Sequence, residues 1–278
     1  MIGRRGASSW RLTVRGTPAH SSQIFRSDIG FGAGFEVARV LDGFRQKLAG
    51  EPHLTLNPGL VLGGTEVEHE PARNAGTAFG KNNVIAERAV VSGDLRVLSL
   101  DQLARARAAM RAVVAAPLPG TSGEITFEDG NPPLAPSAGN ARLLAMYDEA
   151  SRSLGDGPIV AADPDKAGAA DVTFIADRVP MILDGIGLRG DGGHTPQETA
   201  DLASLPVQTR RFAVLLHRLA RRGTRGGRAP RRAERRISTT YEKFTALVDR
   251  AAGRSSCSAR APTTGATARR RSERCAFS

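Results

Sequence analysis

The sequence predicts a mixed α/β (α+β) protein, on three observations. Short segments with period-two alternation are interleaved with segments whose apolar residues recur every three or four positions. From Ser9 to Glu128 their order is strand, helix, strand, strand, helix, strand. Beyond Asp129 the pattern changes to helices with a few short apolar runs, part of an α/β layer with too few strands for a doubly covered sheet.

In the first strand, Ser9–Arg15, Trp10, Leu12 and Val14 alternate with Arg11, Thr13 and Arg15. It runs into the turn-rich Gly16–Ser22. Gly34–Leu48 follows as a helix, with Phe35, Val37, Ala38, Leu41, Phe44 and Leu48 at helical spacing and Gly50 closing it. Leu54–Leu62 is a strand that Pro58-Gly59 must bend or bulge. Gly63–Lys81 is polar and reads as an excursion. Asn83–Leu98 reads as one long strand or two collinear ones, Asp101–Ala115 as an alanine-rich helix, and Ser122–Glu128 as a further strand. This order is the split βαβ, ferredoxin-like βαββαβ pattern, a four-stranded antiparallel sheet with two helices on one face.

After the turn-rich Asp129–Ser137 come a helix over Ala138–Leu154, a short strand candidate at Ile159–Ala161, a helix start at Ala170–Ala176, a buried strand candidate at Met181–Leu183, and an amphipathic helix over Ala203–Arg218. No internal repeat is present.

The formal charge of +11 first points to an anionic partner. Counted by segment, residues 1–220 hold 23 basic and 24 acidic side chains, whereas residues 221–278 hold 16 and 4. The excess is confined to a tail of Arg, Ala, Gly, Ser, Thr and Pro that cannot bury enough apolar surface to order itself. Only Tyr241–Val248 in it has a helical pattern. The expectation is disorder. Binding to nucleic acid through clustered arginines is a second reading, but the tail lacks interleaved aromatics for base stacking. Out-of-frame translation of a GC-rich gene is a third. Both cysteines, Cys257 and Cys275, lie in the tail, so the body has neither disulfide nor thiolate site. The N-terminus lacks the apolar run of a signal peptide, and no stretch approaches the ~20 apolar residues of a membrane helix. A cytoplasmic protein without a membrane contact is expected.

The candidate chemistry lies in two histidine loops. His194 follows Met181–Leu183 and a loop of five glycines (Gly185, Gly187, Gly190, Gly192, Gly193), placed to offer a ring nitrogen to a metal or simply to cap the loop. His20 stands in Gly16-Thr17-Pro18-Ala19-His20-Ser21-Ser22. Arg96 is open between a substrate arginine and a strand arginine paired with a neighbouring acid, and Asn83 between a ligand and a turn residue. His53, His69 and His217 read as a strand-edge, an acidic-loop and a helix-surface histidine.

The His20 loop resembles the G-x-x-A-H-[SA] motif of a zinc-dependent metallopeptidase family that includes glutamate carboxypeptidase, aminoacylase, acetylornithine deacetylase and succinyl-diaminopimelate desuccinylase. Asn83-Val84-Ile85 and Gly93-Asp94-Leu95-Arg96 resemble its N-x-I-P and D-x-R stretches, with Ala86 replacing the proline. Gly168-Ala169-Ala170-Asp171 and Gly187–Glu198 resemble its closing elements. The resemblance spans roughly residues 3–220. It implies a dimerisation (lid) domain over 1–130, the C-terminal part of a catalytic domain over 131–220, and the disordered basic tail over 221–278.

By that resemblance His194 is a zinc ligand. His20 reaches the partner subunit's active site in a homodimer and stabilises an oxyanion there. Asn83 and Arg96 hold a substrate carboxylate, and Gly168 lines the pocket. The implied substrate is an N-acyl amino acid or peptide with a free carboxylate, hydrolysed at the adjacent amide or peptide bond, in the manner of a carboxypeptidase or N-acyl-amino-acid deacylase. Two zinc ions serve the intact family, yet this sequence has no H-x-D and no Glu-Glu pair. The N-terminal metal-binding half is therefore expected to be missing, and the chain to be an inactive fragment. The alternatives are a non-catalytic dimerisation or binding module and a nucleic-acid binder acting through the tail.

Overall fold

Among the described residues, twelve strands and α-helices follow one another. They are β1 (Gly6–Gly16), α1 (Gly32–Leu48), β2 (Thr55–Gly64), β3 (Glu66–Glu70), β4 (Ala75–Phe79), β5 (Arg88–Val97), α2 (Leu100–Val114), β6 (Thr121–Asp129), α3 (Ala138–Ser153), β7 (Arg189–Asp191), β8 (Thr199–Asp201) and α4 (Ser204–Gly223). The computed structural model describes residues 1–223; the tail read as disordered lies outside them apart from its first three residues.

The main sheet has the order β2-β5-β1-β6, with every neighbour antiparallel. That is the ferredoxin-like arrangement expected from the sequence. The alternation of β1 sends Trp10, Leu12 and Val14 to one face, where they meet Val91, Leu95 and Val97 of β5. Helix α1 covers this face with Ala33, Val40, Phe44 and Leu48, and α2 with Ala106, Met110 and Val114. Val40, Phe44 and Leu48, like Ala106, Met110 and Val114, recur at four-residue steps, and Ala33 stands seven before Val40, as a helix facing a core requires. The Trp10 and Phe44 rings meet edge to face at 5.7 Å. Gly93 is required beneath Trp10, since a Cβ there would lie 2.5 Å from the indole and 2.1 Å from the Asn57 carbonyl.

Helix α2 starts where Ser99 Oγ accepts the Gln102 amide at 3.1 Å. Helix α1 is tied to the α2–β6 connection by Glu36. Its fully buried carboxylate accepts from Arg39 and from the Leu118 amide. The bend expected at Pro58-Gly59 is a register shift in the β2–β5 ladder between Pro58 and Leu60.

Several expectations need correction. The polar excursion is a hairpin, β3–β4, that buries Val67. Ile159–Ala161 and Met181–Leu183 form no strand and join no ladder among the described residues. Val160 is 80% exposed, whereas the buried Ile182 gives its amide to the Asn140 side chain at 2.8 Å. The helix start at Ala170 is a single 3-10 turn, Asp171–Ile175. Among the described residues, no helix is long and apolar enough to cross a membrane.

Candidate functional site

The chain leaves β1 at Gly16 and turns back along the segment that precedes β5. An isolated antiparallel bridge joins His20 to Val84, and the Ser21 amide donates to the Asn83 carbonyl at 2.9 Å. His20 and Asn83 are thereby brought together, both exposed, with Asn83 in a turn. The Ser22 amide donates to His20 Nδ1 at 3.2 Å, and the Ser22 hydroxyl lies 2.8 Å from the same nitrogen. A backbone N–H can only donate, so Nδ1 accepts and the neutral ring carries its proton on Nε2. His20 is thus built as an outward-facing hydrogen-bond donor.

Arg96 lies at the other end of the sheet, where its strand pairs with Ala7 of β1 and Thr55 of β2. From Ala7 to Gly16, β1 runs about 30 Å at ~3.3 Å per residue. A single copy of the chain therefore holds Asn83 and Arg96 too far apart to share one carboxylate. Arg96 Nε donates to Asp94 Oδ2 at 2.5 Å, the neighbouring-acid pairing that its sequence left open. Arg96 and Gly168 do come together. With Arg5, Thr55, Asp94, Asp165, Lys166 and Ala167 they line an open depression of about 470 Å³. The Gly168 carbonyl accepts from Arg4 at 3.3 Å.

His194 occupies the turn of the β7–β8 hairpin, exposed, with φ +67°. The turn is closed by Thr195, whose amide and hydroxyl both donate to the Gly192 carbonyl, at 3.1 and 2.7 Å. Its hairpin borders a hollow of about 840 Å³ that Tyr147, Ile159, Leu183 and Gln208 also line. Tyr147 donates to Gln208 Oε1 at 2.9 Å, and burial holds its phenol above the usual tyrosine range.

Zinc bound to protein takes about four N, O or S ligands. Among the described residues no group of three His, Cys, Asp or Glu side chains converges with His194. The ligands of this chain therefore do not fit the zinc site that the resemblance implies. One cluster does converge elsewhere. His53, Asp163 and Asp165 bring one ligand atom each to within 4.8 Å of one another, next to the Arg96–Gly168 depression. His53 Nδ1 lies 3.1 Å from Asp165 Oδ2, but Arg5 also reaches this carboxylate at 3.6 Å and already supplies a cation to it. The cluster was not legible in the sequence because His53 stands more than a hundred residues before Asp163 and Asp165, and an isolated D-x-D signals no third ligand.

Residues 2–122 match the family model described as the peptidase dimerisation domain, of the M20 peptidases. The fold resembles an aminopeptidase PepT from Bacillus cereus ATCC 10987, with a TM-score of 0.58, 15% identity, and coverage of 79% of this chain and 53% of that one. A tripeptidase from Staphylococcus aureus gives a TM-score of 0.58 at 18% identity, over 80% of this chain and 53% of that one. The Bacillus subtilis YXEP protein, a dinuclear metal binding peptidase from the M20 family, gives 0.52 at 16% identity, over 76% and 49%. At these identities the likeness is one of fold. The chain spans about half the length of these structures.

Proposed function

We propose that this chain provides the lid domain, residues 1–130, and the second part of the catalytic domain, residues 131–220, of an M20-type metallohydrolase. The reaction would be hydrolysis of an amide or peptide bond beside a free carboxylate, of the carboxypeptidase or N-acyl-amino-acid deacylase type. The observation that carries the reading is the His20 loop, which lies within the segment matched by the peptidase dimerisation domain. There a backbone amide fixes the ring so that Nε2 donates outward. Such a donor suits a carbonyl oxygen that gains charge in the transition state, and a single one typically contributes ~10²–10³ in rate.

The separation of the site residues supports dividing them between two copies. Arg96, with Arg5 and Lys166 around the same depression and Gly168 at its wall, supplies the cationic end for a substrate carboxylate. His20 and Asn83 then serve the site of the partner copy in a homodimer. His194 offers one imidazole towards zinc, and the remaining ligands and the general base lie outside the described residues in this reading. By itself the chain is inactive in this reading.

Purified 278-residue chain should therefore leave N-acyl amino acids and C-terminal glutamyl peptides intact, with or without added zinc. Zinc-dependent turnover above a His194→Ala control would overturn the inactivity. A non-catalytic dimerisation module is the second reading, favoured by the lack of converging ligands around His194 among the described residues. It is separated from the first by supplying the metal-binding half of an M20 catalytic domain in trans: activity that requires both polypeptides and His194 excludes it.

A further inference from the structure

The face of the main sheet away from α1 and α2 carries polar side chains, because β1 alternates Arg11 and Thr13 against the core residues Trp10, Leu12 and Val14. Part of that face is covered by the β3–β4 hairpin, which turns the buried Val67 and the half-buried His69 inward. Arg88 of β5 donates to the Val67 carbonyl at 3.3 Å, and the Ser92 hydroxyl donates to Asn74 Oδ1 in the hairpin's turn. Between hairpin and sheet lies a hollow of about 370 Å³.

Arg11, Asp94, Glu128, His69 and Asn74 are among the residues that line it. Two of them carry a buried atom with no hydrogen-bond partner, Arg11 Nε and His69 Nε2. Buried polar atoms are ordinarily paired, so these two call for a partner. Arg11 is under-used at Nη2 as well. That nitrogen reaches only Glu128 Oε1, at 3.6 Å, and the Glu128 side chain is 73% exposed. The Nε–Nη2 edge of Arg11 thus holds two parallel N–H groups for a side-on carboxylate.

The charges of the lining narrow the ligand further. Asp94 is neutralised by Arg96. Burial, and then Arg11 and Arg88, hold the His69 pKa below the usual range, so its ring is uncharged at neutral pH. One charge of each sign remains, on Arg11 and Glu128. A phosphate inserted between them would be repelled by Glu128, and a simple amine by Arg11. A small zwitterion meets both with opposite charges of its own.

We propose that this hollow binds a free α-amino acid, with its carboxylate on the Nε–Nη2 edge of Arg11 beside His69 and its ammonium on Glu128. The bound molecule joins the hairpin to the sheet. Asp94 also borders the Arg96–Gly168 depression, so the two sites adjoin, but this one uses neither His20 nor His194 and does not depend on the hydrolytic reading.

Equilibrium dialysis of the full chain against glycine, L-alanine and L-glutamine, each alone, tests it. Emission of Trp10 is a second readout, since it is the one tryptophan of the sequence and borders the hollow. One or more of the three should bind with a Kd of about 1 mM or tighter. Acetate and ethylamine, which carry one charge each, should bind at least ~10-fold more weakly. Arg11→Gln should weaken amino-acid binding ~10-fold or more, and Glu128→Gln, on an exposed side chain that folding does not need, by roughly 3-fold or more. Lys166→Gln, in the neighbouring depression, should leave it unchanged. No uptake of any of the three at about 10 mM overturns the proposal. Acetate binding as well as the amino acids, with Glu128→Gln without effect, overturns the amino-acid assignment. Binding that survives Arg11→Gln overturns the site, and its loss in Lys166→Gln would place the ligand in the neighbouring depression instead. Each of these failures leaves the hydrolytic reading standing.

Discussion

Replacing Glu36 by alanine should cost about 3–5 kcal/mol, the range for breaking a buried charged pair. Glu36 is fully buried in α1, and its carboxylate accepts three hydrogen bonds: Arg39 Nε at 3.0 Å, Arg39 Nη2 at 2.5 Å and the Leu118 amide at 2.9 Å. The two arginine bonds deserve a discount, because the Arg39 side chain is 26% exposed and also donates to the Val113 carbonyl. The Leu118 amide has no such recourse, and an orphaned buried donor costs about 1–3 kcal/mol. Loss of the buried methylene stem adds about 1 kcal/mol. Glu36→Gln keeps an oxygen for Leu118 and should cost about half as much. The assay is urea unfolding of wild type, Glu36→Ala and Glu36→Gln at one fixed protein concentration, since dimerisation would make stability depend on concentration. An alanine variant within ~0.5 kcal/mol of wild type, or a glutamine variant less stable than the alanine one, would refute the view that this carboxylate joins α1 to the α2–β6 connection.

Two further outcomes are expected from the sheet. The pKa of His69 is lowered by burial, and then by Arg11 and Arg88, so its folded ring resists protonation. Its contribution is complete above the ordinary histidine pKa of about 6.5 and is lost as pH falls through the depressed folded value. Stability measured from pH 7.5 down to 5 should thus decline less in His69→Gln than in wild type, and parallel curves would sink the assignment. Gly93→Ala should destabilise by roughly 1–3 kcal/mol through the clash with Trp10 and the Asn57 carbonyl, read as a lower urea midpoint with a blue- or red-shifted tryptophan emission; an unchanged midpoint would contradict the packing.

Local pattern carried most of the lid domain. Trp10, Leu12 and Val14 are all at most 2% exposed, as period-two alternation requires, and the Pro58-Gly59 irregularity appears where two strand-breaking residues stand together. Hairpin β3–β4 was not legible because Glu66–Glu70 offers a single apolar residue, Val67, to alternate. Ile159–Ala161 and Met181–Leu183 failed for a different reason. An apolar run becomes a strand only when a neighbour supplies the ladder, and that neighbour is a long-range fact. In the site, the His20–Asn83 association could be anticipated only through motif resemblance. The separation of Asn83 from Arg96 was legible from residue counting alone. The eight steps of β5 from Arg88 to Arg96 alone span about 26 Å at ~3.3 Å per residue, so Asn83, in the turn before that strand, cannot converge with Arg96 on a single carboxylate.

The opposed placement of His20 and Arg96 has a genetic corollary. Suppose each copy lends one end of its lid sheet to the other's reaction centre. Then, with the metal-binding half of the catalytic domain supplied in trans, a copy lacking the His20 imidazole and a copy lacking the Arg96 guanidinium are each silent alone but complementary when mixed. In a mixed pair both lesions fall on one centre, and the other is assembled entirely from intact parts. Random reassortment would make about half of all pairs mixed and restore roughly a quarter of the centres. Two defects in one chain would never be rescued in this way by each other, so the pattern of rescue would report which residues act across the axis.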